Sequence, residues 1–353
     1  MGVYIPALLI NEQLKRRGVA SEVVVLETLF RDEKQKRVLE NKVAFHQSFE
    51  VAKMGQRIVR DMTPNLDTEK LGRLYASWTQ EARRLFIVFS GFWIPILNVY
   101  RQRIAPAQCW VHHIHMDAAA SASWKNAPAA SEGDQVIWIF NEETMQLDFR
   151  LMNYAEPPIC YDLRPERYLI HGGGWGMGTY QSQIPVLEAA GLHLDIIAYS
   201  PEEAAAPRPR QRYFMVDPRW SPWHKNSAGE HEFPPFGEVK PGTTPRFTNR
   251  PDSHEFFQLV RTARAVIGKP GGASLLDSWT AATPVVMLEP FGDHEAKNAA
   301  LWQALGFGIP FSAWQAAGFA MQLLVPLHQN LLLSQEIVPD YVDSWLPNFR
   351  VHL

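Results

Sequence analysis

Cysteine is nearly absent from this 353-residue chain: Cys109 and Cys160 are the only two, and no CxxC pair occurs. A disulfide framework and a thiolate metal site are both unsupported, and a reducing cytoplasm is the expected compartment. An excess of one charge is lacking too. With 34 Lys and Arg against 37 Asp and Glu, the formal net charge is −3, which gives no electrostatic footprint for nucleic acid. Long apolar runs are also missing. Leu85 to Val99 is the longest, is broken by Ser90, Gly91, Pro95 and Asn98, and falls short of the roughly 20 residues a membrane span needs.

What is present is a globular composition. Hydrophobic residues make up 46% and charged residues 20%, with 12 Trp and 19 Phe, which excludes a disordered chain and points to filled cores or aromatic-lined pockets. This length exceeds what one core usually serves, so two α/β domains are expected. The proline- and charge-rich stretch 153–167 reads as a linker between an N-terminal domain, 1–152, and a second domain, 168–335, with a tail at 336–353.

Along the chain, Ala7, Leu8, Leu9 and Leu14 have helical spacing up to a stop at Gly18, and Ser21 to Leu26 reads as a strand. No strand precedes that first helix, so the first strand of a Rossmann-like half is missing. The charged stretch Glu27 to Arg84 is mostly helical in pattern. Leu85 to Phe89 and Cys109 to Ile114 read as buried strands, and Gln135 to Phe140 with Leu147 to Met152 as a hairpin. In the second half, strands are expected at Tyr168 to Ile170, Leu194 to Tyr199 and Val285 to Leu288. Helices are expected at Ser253 to Arg264, Glu295 to Leu305 and Ala316 to Leu333, before an extended tail. Pro201 to Pro251 is mostly loop, with a short strand at Tyr213 to Val216.

Two glycine-rich strand-to-helix junctions carry the chemistry: His171-Gly172-Gly173-Gly174-Trp175-Gly176-Met177-Gly178 and Lys269-Pro270-Gly271-Gly272-Ala273-Ser274. Each follows a short apolar run and opens a helical pattern, so backbone N–H groups and a helix N-terminus face whatever sits beyond the strand ends. Two such loops in one domain suggest a diphosphate held between them, as in the grip on a nucleotide-sugar. Weaker signals stay open. His113 and His115 share one face of a strand, but no third ligand is near in sequence, and no metal site is read. Asp117 fits either a helix N-cap before Ala118 to Trp124 or a catalytic role. His294 and Glu295 fit a cap as well as a ligand contact. Trp220 to Phe236 fits the packing of a long loop better than a binding surface.

These motifs, together with Asp277, Ala282-Thr283-Pro284 and Phe291 to Asn298, resemble the donor-binding half of GT-B glycosyltransferases. Monogalactosyldiacylglycerol synthases and the peptidoglycan N-acetylglucosaminyltransferase are similar in this way. The resemblance is strong over roughly the last half of the chain and weak from residue 20 to 160. It implies an α/β GT-B fold, two Rossmann-like domains facing across a cleft, and a hexosyl transfer from a UDP-sugar to an acceptor hydroxyl or amine. The transfer would be inverting and metal-independent, with no cofactor beyond the co-substrate and a small-molecule or lipid-linked acceptor. It further implies that Gly173, Gly174, Gly176, Gly271, Gly272, Ala273 and Ser274 cradle the diphosphate. Asp277 would take the ribose hydroxyls, and His294, Glu295 and Asn298 would reach the donor sugar. A C-terminal helix crossing back onto the first domain would suit the family. The family's first-loop histidine is replaced by Val3, so a general base is sought among His115, Asp117 and His171, with His115 and Asp117 favoured. A nucleotide-sugar epimerase and a non-catalytic partner protein are the alternatives.

Overall fold

The computed structural model describes residues 2–57, 61–151, 154, 156–206 and 208–351. Its N-terminal part contains α1 (Tyr4–Arg16), α2 (Asp32–Gln47), α3 (Phe49–Arg57), α4 (Thr68–Gln80), β1 (Leu85–Val88), α5 (Ile94–Ile104), β2 (Trp110–His115), α6 (Ala122–Lys125), β3 (Gln135–Trp138), β4 (Phe140–Asn141) and β5 (Gln146–Leu147). There follow β6 (Tyr168–Ile170), α7 (Tyr180–Ala189), β7 (Leu194–Ile197), β8 (Gln211–Val216), β9 (Phe236–Val239), α8 (Phe256–Thr262), β10 (Val266–Gly268), α9 (Gly272–Ala281), β11 (Val285–Met287), α10 (Asp293–Ala304), β12 (Gly308–Pro310), α11 (Phe311–Ala316), α12 (Leu324–Gln335) and α13 (Tyr341–Val351).

Two sheets organise these elements. The larger runs β12-β11-β10-β6-β7-β8-β9, parallel except for the last pair. Its central strands are buried from end to end because helices cover both faces, which is why they read as continuous apolar runs. The smaller sheet is only β1-β2-β3, all parallel.

Ser21 to Leu26 is not a strand: residues 21–25 pair with no ladder, and a 3₁₀ turn occupies Leu26–Leu29. The apolar run is instead held by side-chain packing, with Val25 and Leu29 buried. The expected hairpin is also rearranged. β3 lies parallel on β2, and the hairpin is the shorter β4–β5 pair. Met152 and Asn153, where the domain boundary was expected, lie outside the described residues. The stretch expected as one helix from Ala316 to Leu333 is divided between α11 and α12, with Gly318 at φ 65° in the break. The expected helix at Ser253 to Arg264 is the shorter α8.

The tail is helical rather than extended. Tyr341 of α13 hydrogen-bonds His112 of β2 at 2.8 Å, and Trp345 and Phe349 pack on the same imidazole. One hydrophobic core therefore runs from α1 and β2 through α13 into the α8–α9 face of the large sheet. α1 also meets the loop between β8 and β9, residues 217–235: Tyr4 donates to the Glu232 carbonyl and packs edge-on against Trp220. The aromatic cluster from Trp220 to Phe236 is thus packing, with Phe233 and Phe236 buried.

Candidate active site at the switch point of the large sheet

β10 and β6 are neighbours, and the chain order runs away from them in opposite directions, β6-β7-β8 one way and β10-β11-β12 the other. That reversal opens a crevice beyond the carboxyl ends of the two strands, and both glycine-rich loops leave the sheet there.

The first loop is shaped by its own backbone. His171 Nδ1 accepts the Gly173 N–H at 2.9 Å, and the Tyr199 hydroxyl donates to the Gly173 carbonyl. Gly176 lies at φ 65°, and a Cβ there would stand 2.5 Å from His46 Nδ1, so only glycine fits. The second loop ends in α9, whose N-cap residue is Gly271 and so supplies no side chain of its own to cap the first turn. Its leading N–H groups therefore face the crevice.

Lys269 bridges the loops. Its Nζ lies 2.6 Å from Glu295 Oε1, and a Cβ added at either Gly173 or Gly271 would stand 3.6 Å from the same ammonium. Glu295 is buried, and its other oxygen accepts the Phe291 N–H at 2.7 Å. Both carboxylate oxygens are thus engaged inside the protein, which turns Glu295 away from a sugar and makes it the holder of Lys269. Asn298, fully buried, donates to the Pro270 carbonyl and to Asp117, and accepts the Ala118 N–H. It ties the β2 exit turn to the second loop. Ala273 and Ser274 are half-buried on the first turn of α9, and Gly174 is exposed. His294 is half-buried, with Nδ1 3.4 Å from Gln56 Nε2 of α3.

Asp277, in the second turn of α9, is buried. Its Oδ1 accepts from the Tyr154 hydroxyl and from His254 Nε2, each at 3.1 Å.

The histidines proposed as bases are not placed as bases. His115 is sandwiched between Trp124 and Trp138, with ring centroids 4.3 and 4.0 Å away, and burial followed by the charge of His113 pushes its pKa down to about 4. His171 is driven down to about 3 by burial and then by Lys269, and its Nδ1 is spent on the loop. Asp117 does not cap α6, which starts only at Ala122. Its carboxylate lies on the second loop, accepting from Asn298 Nδ2 at 2.7 Å and from the Gly272 N–H at 3.2 Å, and burial raises its pKa. His115 is thus a weakly basic ring held in an aromatic stack, and Asp117 is held on the second loop through Oδ1. His113 pairs with Asp134 at 3.2 Å, and His112 with Tyr341.

Sequence reading passed over the strap formed by α2 and α3. Phe45 packs on Trp175, Phe49 on Phe291, and Lys53 pairs with Glu289 at 2.8 Å. His46 contacts the Gly176 carbonyl and Glu203 Oε1, both at 2.8 Å, and lies against Tyr199. With an acceptor at each ring nitrogen, the imidazolium is favoured, and the Glu203 hydrogen bond raises its pKa. The only local signal was the alternation of apolar and basic residues between Val38 and Lys53. Lys269 had a plainer one, a lone cation directly before Pro-Gly-Gly.

No known family model matches the chain, and no curated protein sequence matches it. Solved structures do. The glycosyltransferase SsfS6 of Streptomyces sp. SF2575 superposes with a TM-score of 0.51 at 11% identity, over 99% of this chain and 96% of that one. SnogD, a glycosyltransferase from Streptomyces nogalater, gives 0.50 at 12% identity over the same shares. MurG of Acinetobacter baumannii gives 0.48 at 14% identity, again over 99% and 96%. The fold rests on SsfS6 and SnogD: the chain has the GT-B architecture of two Rossmann-like domains facing across a cleft.

Proposed function

We propose that this chain is a glycosyltransferase that takes a sugar from a uridine-diphosphate donor and passes it to an acceptor hydroxyl or amine. The observation that carries the reading is Lys269, a nearly buried cation between two glycine-rich loops at the switch point of the large sheet. A diphosphate seated there would meet the ammonium and the leading N–H groups of α9, which favour charge building on a departing nucleoside diphosphate. Gly173, Gly174, Gly176, Gly271, Gly272, Ala273 and Ser274 would line it. Asp277 would accept a ribose hydroxyl, and His294 would stand nearest the sugar. Glu295 and Asn298 would act by positioning Lys269 and the second loop.

Residues 1–152 would bind the acceptor, a small molecule or a lipid-linked one, and 168–335 the donor. We take the reaction to need no metal or other cofactor and to invert the anomeric centre in one displacement; fold analogy supports the inversion. The composition favours the cytoplasm, and no helix among the described residues is long and apolar enough to cross a membrane.

Calorimetric titration of uridine diphosphate and its sugar conjugates tests this, with Lys269→Met and Asp277→Ala as controls. Binding that both substitutions weaken supports the reading, and equal binding by the wild type and both variants refutes it. A second reading, a non-catalytic GT-B-like partner, is favoured by the state of His115 and His171, both buried and weakly basic. Product analysis with the bound donor separates the two: a glycosylated acceptor supports the enzyme, and an unchanged donor supports the partner.

A further inference from the structure

We propose, building on the donor reading above, that the chain occludes its own donor site, with Asp117 standing in for a phosphate and the Tyr154 hydroxyl for a ribose hydroxyl. The two mimics come from outside the large sheet, Asp117 from the β2 exit turn and Tyr154 from the segment joining the two sheets.

At the diphosphate end, Asp117 Oδ1 accepts the Gly272 N–H at 3.2 Å, the first helical N–H of α9. This is the group a phosphate oxygen would take. The carboxylate is kept there by Asn298, whose Nδ2 donates to it at 2.7 Å while its Oδ1 accepts the Ala118 N–H at 2.7 Å. The backbone closes too: a Cβ added at Gly272 would overlap the Met116 carbonyl oxygen. The crevice is therefore shut where the second loop meets the β2 exit turn. Next to it, His171 is 4% exposed, and its Nε2 has no hydrogen-bond partner among the described residues. A buried donor beside Lys269 marks the base of the first loop as a polar site rather than a packed core.

At the ribose end, the Tyr154 hydroxyl donates to Asp277 Oδ1 at 3.1 Å, and its ring stacks on Phe257 at 3.6 Å between centroids. A ribose hydroxyl would donate to the same carboxylate. Both ends thus present a ligand's hydrogen-bonding pattern with the protein's own atoms, and donor entry requires the β2 exit turn and Tyr154 to withdraw. Affinity is lowered by the fraction of molecules in the closed state.

The two ends are separable because pyrophosphate competes only with Asp117 and uridine only with Tyr154. Titrations of uridine diphosphate, inorganic pyrophosphate and uridine into the full chain, its Asp117→Ala and Asp117→Asn variants and its Tyr154→Phe variant test this. Melting curves verify that each variant is folded, and the asparagine variant keeps the shape of the turn if alanine does not fold. Asp117 variants should bind pyrophosphate about tenfold more tightly with uridine unchanged, and Tyr154→Phe should tighten uridine severalfold with pyrophosphate unchanged. If the wild type binds uridine diphosphate and the substitutions leave affinities unchanged or weaken them, the occlusion is wrong and the donor site stands. If neither wild type nor variants bind any of the three, the donor reading fails and the occlusion with it.

Discussion

The Lys269 ammonium and the Glu295 carboxylate form a 2.6 Å pair whose side chains are 11% and 5% exposed, with the ammonium set between the two glycine-rich loops. Such a pair is costly to break from one side, because the remaining charge is left without compensation. The two partners therefore make opposite predictions. Lys269→Met should weaken uridine diphosphate at least about tenfold, the loss of one charge-assisted contact. Glu295→Gln should free Lys269 for a phosphate and tighten the same ligand, while lowering stability by about 3 kcal/mol. Calorimetry and urea unfolding read both. Equal weakening by the two substitutions would mean that the pair serves the fold and not an anion.

Arg164, within the stretch 153–167, fastens that stretch to the large-sheet domain through carbonyl and hydroxyl acceptors. It is 2% exposed and donates to the Ile159, Ala263 and Ala281 carbonyls and to Thr283 Oγ1 at 2.6–3.0 Å. Burial lowers its pKa to about 10, so it stays charged at neutral pH. Its planar fork meets acceptors that lysine cannot span. Arg164→Lys should cost about 3 kcal/mol of stability, close to Arg164→Ala, because each leaves several buried carbonyls unpaired. A lysine variant that unfolds at the wild-type urea midpoint would overturn this account.

How far the sequence was legible follows from where each signal resides. The loops at Gly172 and Gly271 and the strands before them were readable because parallel strands buried on both faces are short unbroken apolar runs and their turns need glycine. The strands of the small sheet were readable in the same way at Leu85 to Phe89, Cys109 to Ile114 and the start of Gln135 to Phe140, but the further strand expected at Ser21 to Leu26 is not there. Ser21 to Leu26 has strand composition, but composition does not supply a neighbouring strand, and these residues pack by side chains instead. The tail was misread because the contacts of α13 with His112 are long-range. At the crevice, the glycines, Asp277 and Asn298 lie within local motifs that the sequence displays. His46, Tyr154 and His254 reach the same loops only through tertiary folding, so no spacing announces them. The exchange of roles between Glu295 and Lys269 turns on a rotamer and a 2.6 Å contact, neither of which a sequence encodes locally.

His115 should titrate far below an ordinary histidine. The Trp124–His115–Trp138 stack holds it neutral, and its folded pKa of about 4 lies below the unfolded value of roughly 6.5. A depressed histidine favours the fold while neutral. Its contribution is therefore complete above about pH 6.5 and declines as pH falls toward 4, by up to about 1 kcal/mol per pH unit. Urea unfolding of the wild type and of His115→Phe, which keeps the stack, should diverge in stability only over that window. A wild-type His115 resonance that titrates near 6.5 by NMR would contradict the buried stack.

His46 gives the opposite dependence. Its folded pKa is raised above the ordinary value, first by the Glu203 hydrogen bond and supported by the Gly176 carbonyl. A raised histidine favours the fold while protonated, so its contribution is complete below about pH 6.5 and is lost as pH climbs through the raised value. The ring is partly exposed, and solvent screening keeps the effect near 1 kcal/mol. The strap should therefore loosen from the first glycine loop on the alkaline side, carrying Phe45 away from Trp175. His46→Gln should lower the melting temperature at pH 6 and have a smaller effect at pH 8.5. The tryptophan fluorescence change between these two pH values should be present in the wild type and lost in the variant. A destabilisation equal at both pH values would show that His46 acts by packing on Tyr199 and not by its charge.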